Sequence, residues 1–120
     1  MKVFVNLGSI AHGRSGDKGN HANIAIIGYT AAGYDWLREY LSAERVAQYF
    51  QSMQPSRVVR YEAPNVWGLN FMLHDVLAGG ASRSLRIDTQ GKTLALTLLQ
   101  MDIDVPPNIT KMLRDKEKPT

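Results

Sequence analysis

The sequence contains no cysteine among its 120 residues. A disulfide scaffold, a thiolate metal site and a cysteine nucleophile are therefore excluded. Long apolar runs are also missing, since no stretch approaches the roughly 20 residues that span a bilayer. The apolar run within residues 1–8 is too short for a signal peptide. We therefore expect a cytoplasmic protein, and the length suits one domain with one core.

A large excess of one charge is missing as well. Fourteen basic and eleven acidic residues give a net charge of +3, and residues 111–120 hold four of the basic and two of the acidic groups. The rest of the chain then carries ten basic and nine acidic groups. This pattern predicts a domain over residues 1–105 and a charged, flexible tail over residues 106–120. Nucleic acid is disfavoured as a partner, because a solvated tail explains the surplus.

The hydrophobic periodicity predicts an α+β order of elements. The expected strands are Lys2–Ile10, Ala22–Tyr29, Arg57–Glu62, Ser82–Asp88 and Met101–Val105, and the expected helices are Tyr34–Leu41, Ala43–Met53, Asn65–Ala78 and Lys92–Leu99. Ser42 is the predicted N-cap of the second helix, and Gly79-Gly80 ends the third. We predict a ferredoxin-like sandwich, a small antiparallel or mixed sheet with helices packed on one face. An open sheet edge also predicts a homodimer or higher oligomer.

Three motifs for known chemistry are incomplete. Gly91-Lys92-Thr93 lacks the glycine that a phosphate-binding loop has five positions earlier, where Arg86 stands. The run from Gly13 to Asp17 lacks the closing glycine of a nucleophile elbow. His12 and His21 do not have zinc-site spacing. We therefore predict no metal and no cofactor.

The densest group of chemically capable residues is HGRSGDKGN, from His12 to Asn20, which we interpret as a glycine-rich loop between two strands. Arg14 and Lys18 suit an anion, and the glycines, including Gly16 and Gly19, would let backbone N–H groups converge on it. The polar groups predicted to assist them are Ser15, Asp17 and Asn20. A salt-bridged surface turn is the alternative interpretation.

A second candidate lies on the helix predicted after Pro64. Leu69, Leu73, Val76 and Leu77 would form its buried face. On another face, at positions i, i+3 and i+7, the sequence places Trp67, Asn70 and His74. These three residues suit either a binding wall or simple packing. We predict that His74 acts as an acid or base opposite Asp17 or hydrogen-bonds a substrate oxygen. Trp67 would stand at the rim of this site, with Arg83 or Arg86 nearby as an anion ligand.

Three stretches of the sequence resemble the C-terminal, ferredoxin-fold-type domain of AtuA-like proteins, the acyclic terpene utilisation family. They are IAHGRSGDKGNHANIAII, YEAPNVWGLNFMLHDVLAGGASRSLRIDTQGKTLA and LLQMDIDVP. The resemblance runs from about Val3 to Val105. It implies a small chain that works beside a larger AtuA-type N-terminal-domain protein.

The resemblance further implies a role in degrading acyclic terpenes such as citronellol and geraniol, a route that passes through acyl-CoA esters. The chain would be a small subunit or accessory domain that binds an anionic ligand, such as one linked to CoA, through the glycine-rich segment. A self-sufficient, non-catalytic module for a small carboxylate or phosphate is the alternative. RNA binding is the third hypothesis, disfavoured because the predicted strands offer mostly aliphatic side chains.

Overall fold

The structure is a computed structural model that describes residues 3–76 and 94–114. Six strands are described: β1 (Phe4–Asn6), β2 (Ala11–Lys18), β3 (His21–Gly28), β4 (Arg57–Ala63), β5 (Gly68–His74) and β6 (Asp102–Asp104). Four of them form an antiparallel sheet in the order β2-β3-β5-β4, and β1 pairs with β6 in a second, two-stranded sheet.

The described residues also contain three α-helices: α1 (Ala31–Tyr40), α2 (Ala43–Tyr49) and α3 (Leu94–Leu99). The hydroxyl of Thr30 accepts a hydrogen bond from the first turn of α1, and the hydroxyl of Ser42 accepts one from the backbone N–H of Arg45 at 3.0 Å. The N-cap predicted at Ser42 is therefore confirmed. None of the helices among the described residues is both long and apolar enough to cross a membrane.

The helices pack on one face of the four-stranded sheet, which we call the inner face. Alternate residues of β3 are buried there, and Phe71 of β5 joins them with no exposed surface. Helix side chains such as Leu37 and Leu98 complete this core. Arg60 of β4 also lies on the inner face, where its Nη1 donates to the carbonyls of Arg38 and Leu41 at the end of α1. The α+β architecture with helices on one face of an antiparallel sheet is as predicted.

The predicted glycine-rich loop is a strand. Most of the segment from His12 belongs to β2, which pairs with β3 residue by residue, and only Gly19 and Asn20 form the turn. Gly19 has a φ of 63°, as a tight hairpin requires. The strand predicted over residues 2–10 is correspondingly shorter, because Leu7–Ser9 forms a 3-10 turn. The small inner-face residues of β2 suit a close approach of α3, whose Ala95 N–H donates to the Ser15 hydroxyl at 3.2 Å.

The prediction of a helix after Pro64 is wrong. Residues Pro64–Val66 form a 3-10 turn, and β5 follows as a central strand between β3 and β4. Leu69 and Leu73 are buried as expected, since residues four apart share a face in a helix and in a strand. Phe71, midway between them, is buried with them. This period of two defines the strand.

The segment after residue 105 belongs to the packed body as far as the structure describes it. Met112 is buried in the core, and the Lys111 carbonyl accepts a hydrogen bond from the Thr30 hydroxyl at 2.7 Å. Residues 106–114 thus differ from the flexible tail that we expected from residue 106. The predicted strand Ser82–Asp88 and the Gly79-Gly80 helix end lie outside the described residues.

Candidate functional site

The face of the four-stranded sheet opposite the helices, which we call the outer face, collects five of the twelve predicted site residues. Register and strand alternation place four positions from each strand on it. They are His12, Arg14, Gly16 and Lys18 of β2, His21, Asn23, Ala25 and Ile27 of β3, Gly68, Asn70, Met72 and His74 of β5, and Arg57, Val59, Tyr61 and Ala63 of β4. None of these sixteen residues is acidic, and three of them are arginine or lysine.

A row of basic and imidazole residues crosses one end of the outer face. Lys18 pairs with His21 across the hairpin, and Arg57 pairs with His74 at the other edge of the sheet. The rings of His21 and His74 meet edge to face in the middle, with their centroids 4.7 Å apart. Each of the four strands therefore contributes one register position to this row, in which His21, His74 and Arg57 carry groups that can bind an anion.

The tautomer of His21 is set by the backbone. The N–H of Asp75 donates to His21 Nδ1 at 3.1 Å, so the neutral ring carries its proton on Nε2. The Asp75 carboxylate lies 3.9 Å from Nδ1 and accepts a hydrogen bond from the Ser56 hydroxyl. His21 is thus oriented from one side, and its Nε2 is the nitrogen that remains for a ligand.

Two side-chain amides occupy the middle of the outer face. Asn23 Nδ2 donates to Asn70 Oδ1 at 3.4 Å, across the β3–β5 pair. Gly16 lies beside them, and a Cβ added at this glycine would come within 3.1 Å of Asn23 Oδ1. The glycine therefore leaves room for the amide. Asn23 Oδ1 can still accept, and Asn70 Nδ2 and the second N–H of Asn23 Nδ2 can still donate, in further hydrogen bonds.

The remaining predicted site residues are divided between other places. Ser15 lies on the inner face, where its oxygen already accepts the Ala95 N–H. Asp17 is exposed and pairs in register with the buried Ala22, so it too belongs to the inner face, at the tip of the hairpin. Gly19 and Asn20 are exposed in the turn. Arg83 and Arg86 lie outside the described residues.

This division corrects two expectations about geometry. Asp17 and His74 lie on opposite faces of the sheet, so they do not face each other across one ligand within a protomer. The glycines of a strand do not converge their N–H groups on one point, because alternate N–H groups pair with β3. Arg14 and Asn70, by contrast, share a face as expected, through strand pairing instead of a loop and a helix.

Trp67 lies at the opposite end of the sheet from His74. Its backbone takes a φ of 57°, which is rare for a bulky residue, and its carbonyl accepts a hydrogen bond from Gly28 N–H at 2.9 Å. The side chain is 41% exposed. Trp67 is therefore an exposed residue that is remote from His74 along the sheet, and its place at the rim of a binding site stays a prediction.

A shallow cleft on the helix side offers less chemistry. Its volume is about 230 Å³, and its lining residues are Tyr40, Arg45, Gln48, Tyr49 and Met101. The Arg45 guanidinium lies 4.0 Å above the Tyr40 ring, and its Nε donates to the Tyr40 carbonyl. Partial burial, and to a lesser extent the Asp102 carboxylate, raises the pKa of Tyr49, whose hydroxyl donates to the Thr97 carbonyl at 2.8 Å. Arg45 and Tyr49 of this cleft are thus engaged in joining α2 to α1 and to α3.

The family comparison agrees with the architecture. The AtuA ferredoxin-like domain matches residues 5–104. The chain belongs to this family. The match includes all six described strands up to Asp104, apart from the first residue of β1. No curated protein and no solved structure matches the chain significantly.

The AtuA ferredoxin-like domain of this chain contains outer-face residues that the sequence did not identify as a site. His21, Asn23, Arg57 and Tyr61 were missed. A signal was present, since Gly19-Asn20 is a two-residue turn sequence that sets the hairpin register and therefore brings His21 opposite Lys18. Among the described residues, no cluster of three or more histidine, aspartate, glutamate or cysteine side chains is placed to hold a metal.

Proposed function

We propose that this AtuA ferredoxin-like domain is a small subunit or accessory domain of an AtuA-type catabolic protein in acyclic terpene degradation, and that its outer face binds an anionic ligand. An acyl-CoA ester is the form of ligand that such a route supplies. The observation that carries this proposal is the composition of the outer face, with three basic residues, three histidines, two amides and no acid at sixteen positions.

The electrostatics favour an anion for a physical reason. Arg14 and Arg57 stand on the two edge strands with exposed side chains, and the central strands between them supply neutral donors. Among the described residues, neither arginine forms an ion pair with a carboxylate, and such like charges raise the local potential, which attracts anions. The Asp75 carboxylate beside His21 lowers the potential at that end of the face. The acidic residues of the same strands, Asp17 and Glu62, lie on the inner face, where Glu62 accepts from Arg60 at 2.9 Å.

If the outer face catalyses a reaction, His74 is the residue that we assign as its acid or base. It adjoins His21, whose tautomer is fixed, and it pairs with Arg57 in register. Asp17 keeps its predicted acid–base role only where the hairpin tip meets a larger AtuA-type partner, because within one protomer it stands on the other face. A homodimer or higher oligomer through an edge strand is part of this proposal. A monomer by light scattering at micromolar concentration would contradict it.

The binding part is tested by isothermal titration with pyrophosphate and acetyl-CoA at low and physiological salt. Arg14→Ala and Arg57→Ala should each weaken binding about tenfold, since a charge-assisted hydrogen bond contributes roughly 1.5–3 kcal/mol. Arg38→Ala is the matched control, because Arg38 is an exposed arginine of α1 that lies 3.8 Å from Asp35. Equal binding by all three variants would contradict the proposal.

A self-sufficient binding module for a small carboxylate or phosphate is the second candidate. It is favoured by the fact that both arginines and both amides of the outer face come from one chain. Adding a purified AtuA-type partner separates the two candidates. Turnover of an acyl-CoA that depends on both chains supports the subunit, whereas binding by this chain alone with no recovery of a partner from the native organism supports the module.

A further inference from the structure

A cluster of rings occupies the end of the outer face that is remote from His74. The His12 imidazole stacks on the Tyr29 ring, with centroids 5.2 Å apart and an angle of 24° between the planes. The Arg114 guanidinium lies 5.3 Å from the centre of the same tyrosine ring. His12 is exposed, and Tyr29 is half-buried. The result is a flat surface of stacked π-systems, with one member accessible to solvent.

The surface beside these rings is apolar. Ile27 stands next to His12 in register on β3. A Cβ added at Gly68 would lie 3.4 Å from a methyl group of Val66 and 3.5 Å from Ile27. Gly68 is itself buried between these two side chains, and Val66 is 57% exposed, so the apolar surface that a flat group could meet here belongs to Val66 and the half-buried Ile27.

Two basic residues, Arg14 and Lys18, follow His12 along β2. Arg14 is two residues beyond His12 on β2 and on the same face, which places the two Cα atoms about 7 Å apart. Lys18 is four residues further along, opposite His21. The outer face is thus ordered along its length, with rings first, then Arg14, and then the row of basic and imidazole residues, over about 20 Å from His12 to Lys18.

Rings beside cations are the chemistry that recognises nucleotides. Nucleic-acid bases stack on aromatic side chains, and arginine binds phosphate oxygens in a bidentate way. We propose that the ring end is a subsite for the base of a nucleotide-bearing anion, with its phosphates at Arg14. This inference rests on the proposed function, because it names the class of anion that the outer face takes. A single ring cluster beside Arg14 fits one base better than the successive bases of a nucleic-acid strand.

The test compares two probes that share their phosphates. ADP should bind at least tenfold more tightly than pyrophosphate in isothermal titration. His12→Ala and Tyr29→Leu should remove this difference and leave pyrophosphate binding unchanged, whereas His12→Phe, which keeps a ring, should retain most of it. Arg14→Ala should weaken both probes. Circular dichroism checks that each variant folds, and the exposed His12 decides the test if Tyr29→Leu does not fold.

Each outcome is decisive. If pyrophosphate and ADP bind equally and both depend on Arg14, the base subsite is wrong and the anionic ligand stands. If neither probe binds, both proposals fail together. If a ten-residue uridine oligonucleotide binds far more tightly than ADP, with an affinity that rises with length, the face is a platform for single-stranded nucleic acid and the mononucleotide inference is overturned.

Discussion

Phe71 and Met72 are neighbours in β5, and truncation of each to alanine should have very different effects on stability. Phe71 has no exposed surface and lies in the core, so Phe71→Ala should lower the free energy of unfolding by about 3–5 kcal/mol. Met72 is half-buried on the outer face, so Met72→Ala should lower it by no more than about 1.5 kcal/mol. For a chain of 120 residues, 1 kcal/mol corresponds to about 4 °C in Tm.

The pair also distinguishes the strand from the helix that the sequence suggested. In a helix, with about 100° per residue, Met72 would lie about 60° from Leu69 and Phe71 about 160° from it. Met72 would then be the more buried of the two, and the order of the effects would reverse. Urea unfolding followed by circular dichroism at 222 nm measures both variants. Equal losses, or a larger loss for Met72→Ala, would refute the assignment of the two faces.

Two further substitutions test how the sheet is joined to its surroundings. Arg60→Leu should cost about 2–3 kcal/mol in urea unfolding, because it removes the charged donor that binds the carbonyls of Arg38 and Leu41 at 2.8 and 3.0 Å. Arg38→Ala, which affects an exposed ion pair with Asp35 and a distant contact with the Tyr34 ring, should change stability by less than about 1 kcal/mol, and a similar loss in both variants would contradict the account. Gly13→Ala should cost about 1–3 kcal/mol, since the added Cβ would lie 2.6 Å from the carbonyl oxygen of Ala25. Gly8→Ala is its control, because the nearest atom there is at 3.4 Å, and its Tm should stay near that of the parent.

Much of the fold could be predicted where one local signal was unambiguous. β3 has strict alternation of buried and half-buried residues, and Ser42 precedes its helix with the side chain that a cap requires. β5 could not be assigned in this way. Leu69 and Leu73 fit both the period of a helix and the period of a strand. Phe71 decides between the two periods, because only a strand buries it on the same face as Leu69 and Leu73.

The candidate site was predicted in composition better than in geometry. Arg14, Asn70 and His74 do lie on one face, but the reason is the pairing of β2, β3 and β5, which no local pattern displays. The three glycines of the HGRSGDKGN segment suggested a loop, whereas inside a strand they make room for neighbours and form the turn. The local sequence does not identify His21 as a site residue, because its contact with the His74 ring joins residues that are 53 positions apart in the chain.

The central position of β3 has a kinetic consequence. Only two residues join β2 to β3, so forming this hairpin costs little loop-closure entropy. β5 can pair with β3 only after a loop of about 40 residues, which includes α1 and α2, has closed. The Asn23–Asn70 bond spans 47 residues for this reason. Contacts of such long range form slowly and late. The outer face therefore comes into existence only when the four-stranded sheet is complete, and any anion that it binds would favour the complete sheet over forms in which a strand is unpaired, by mass action.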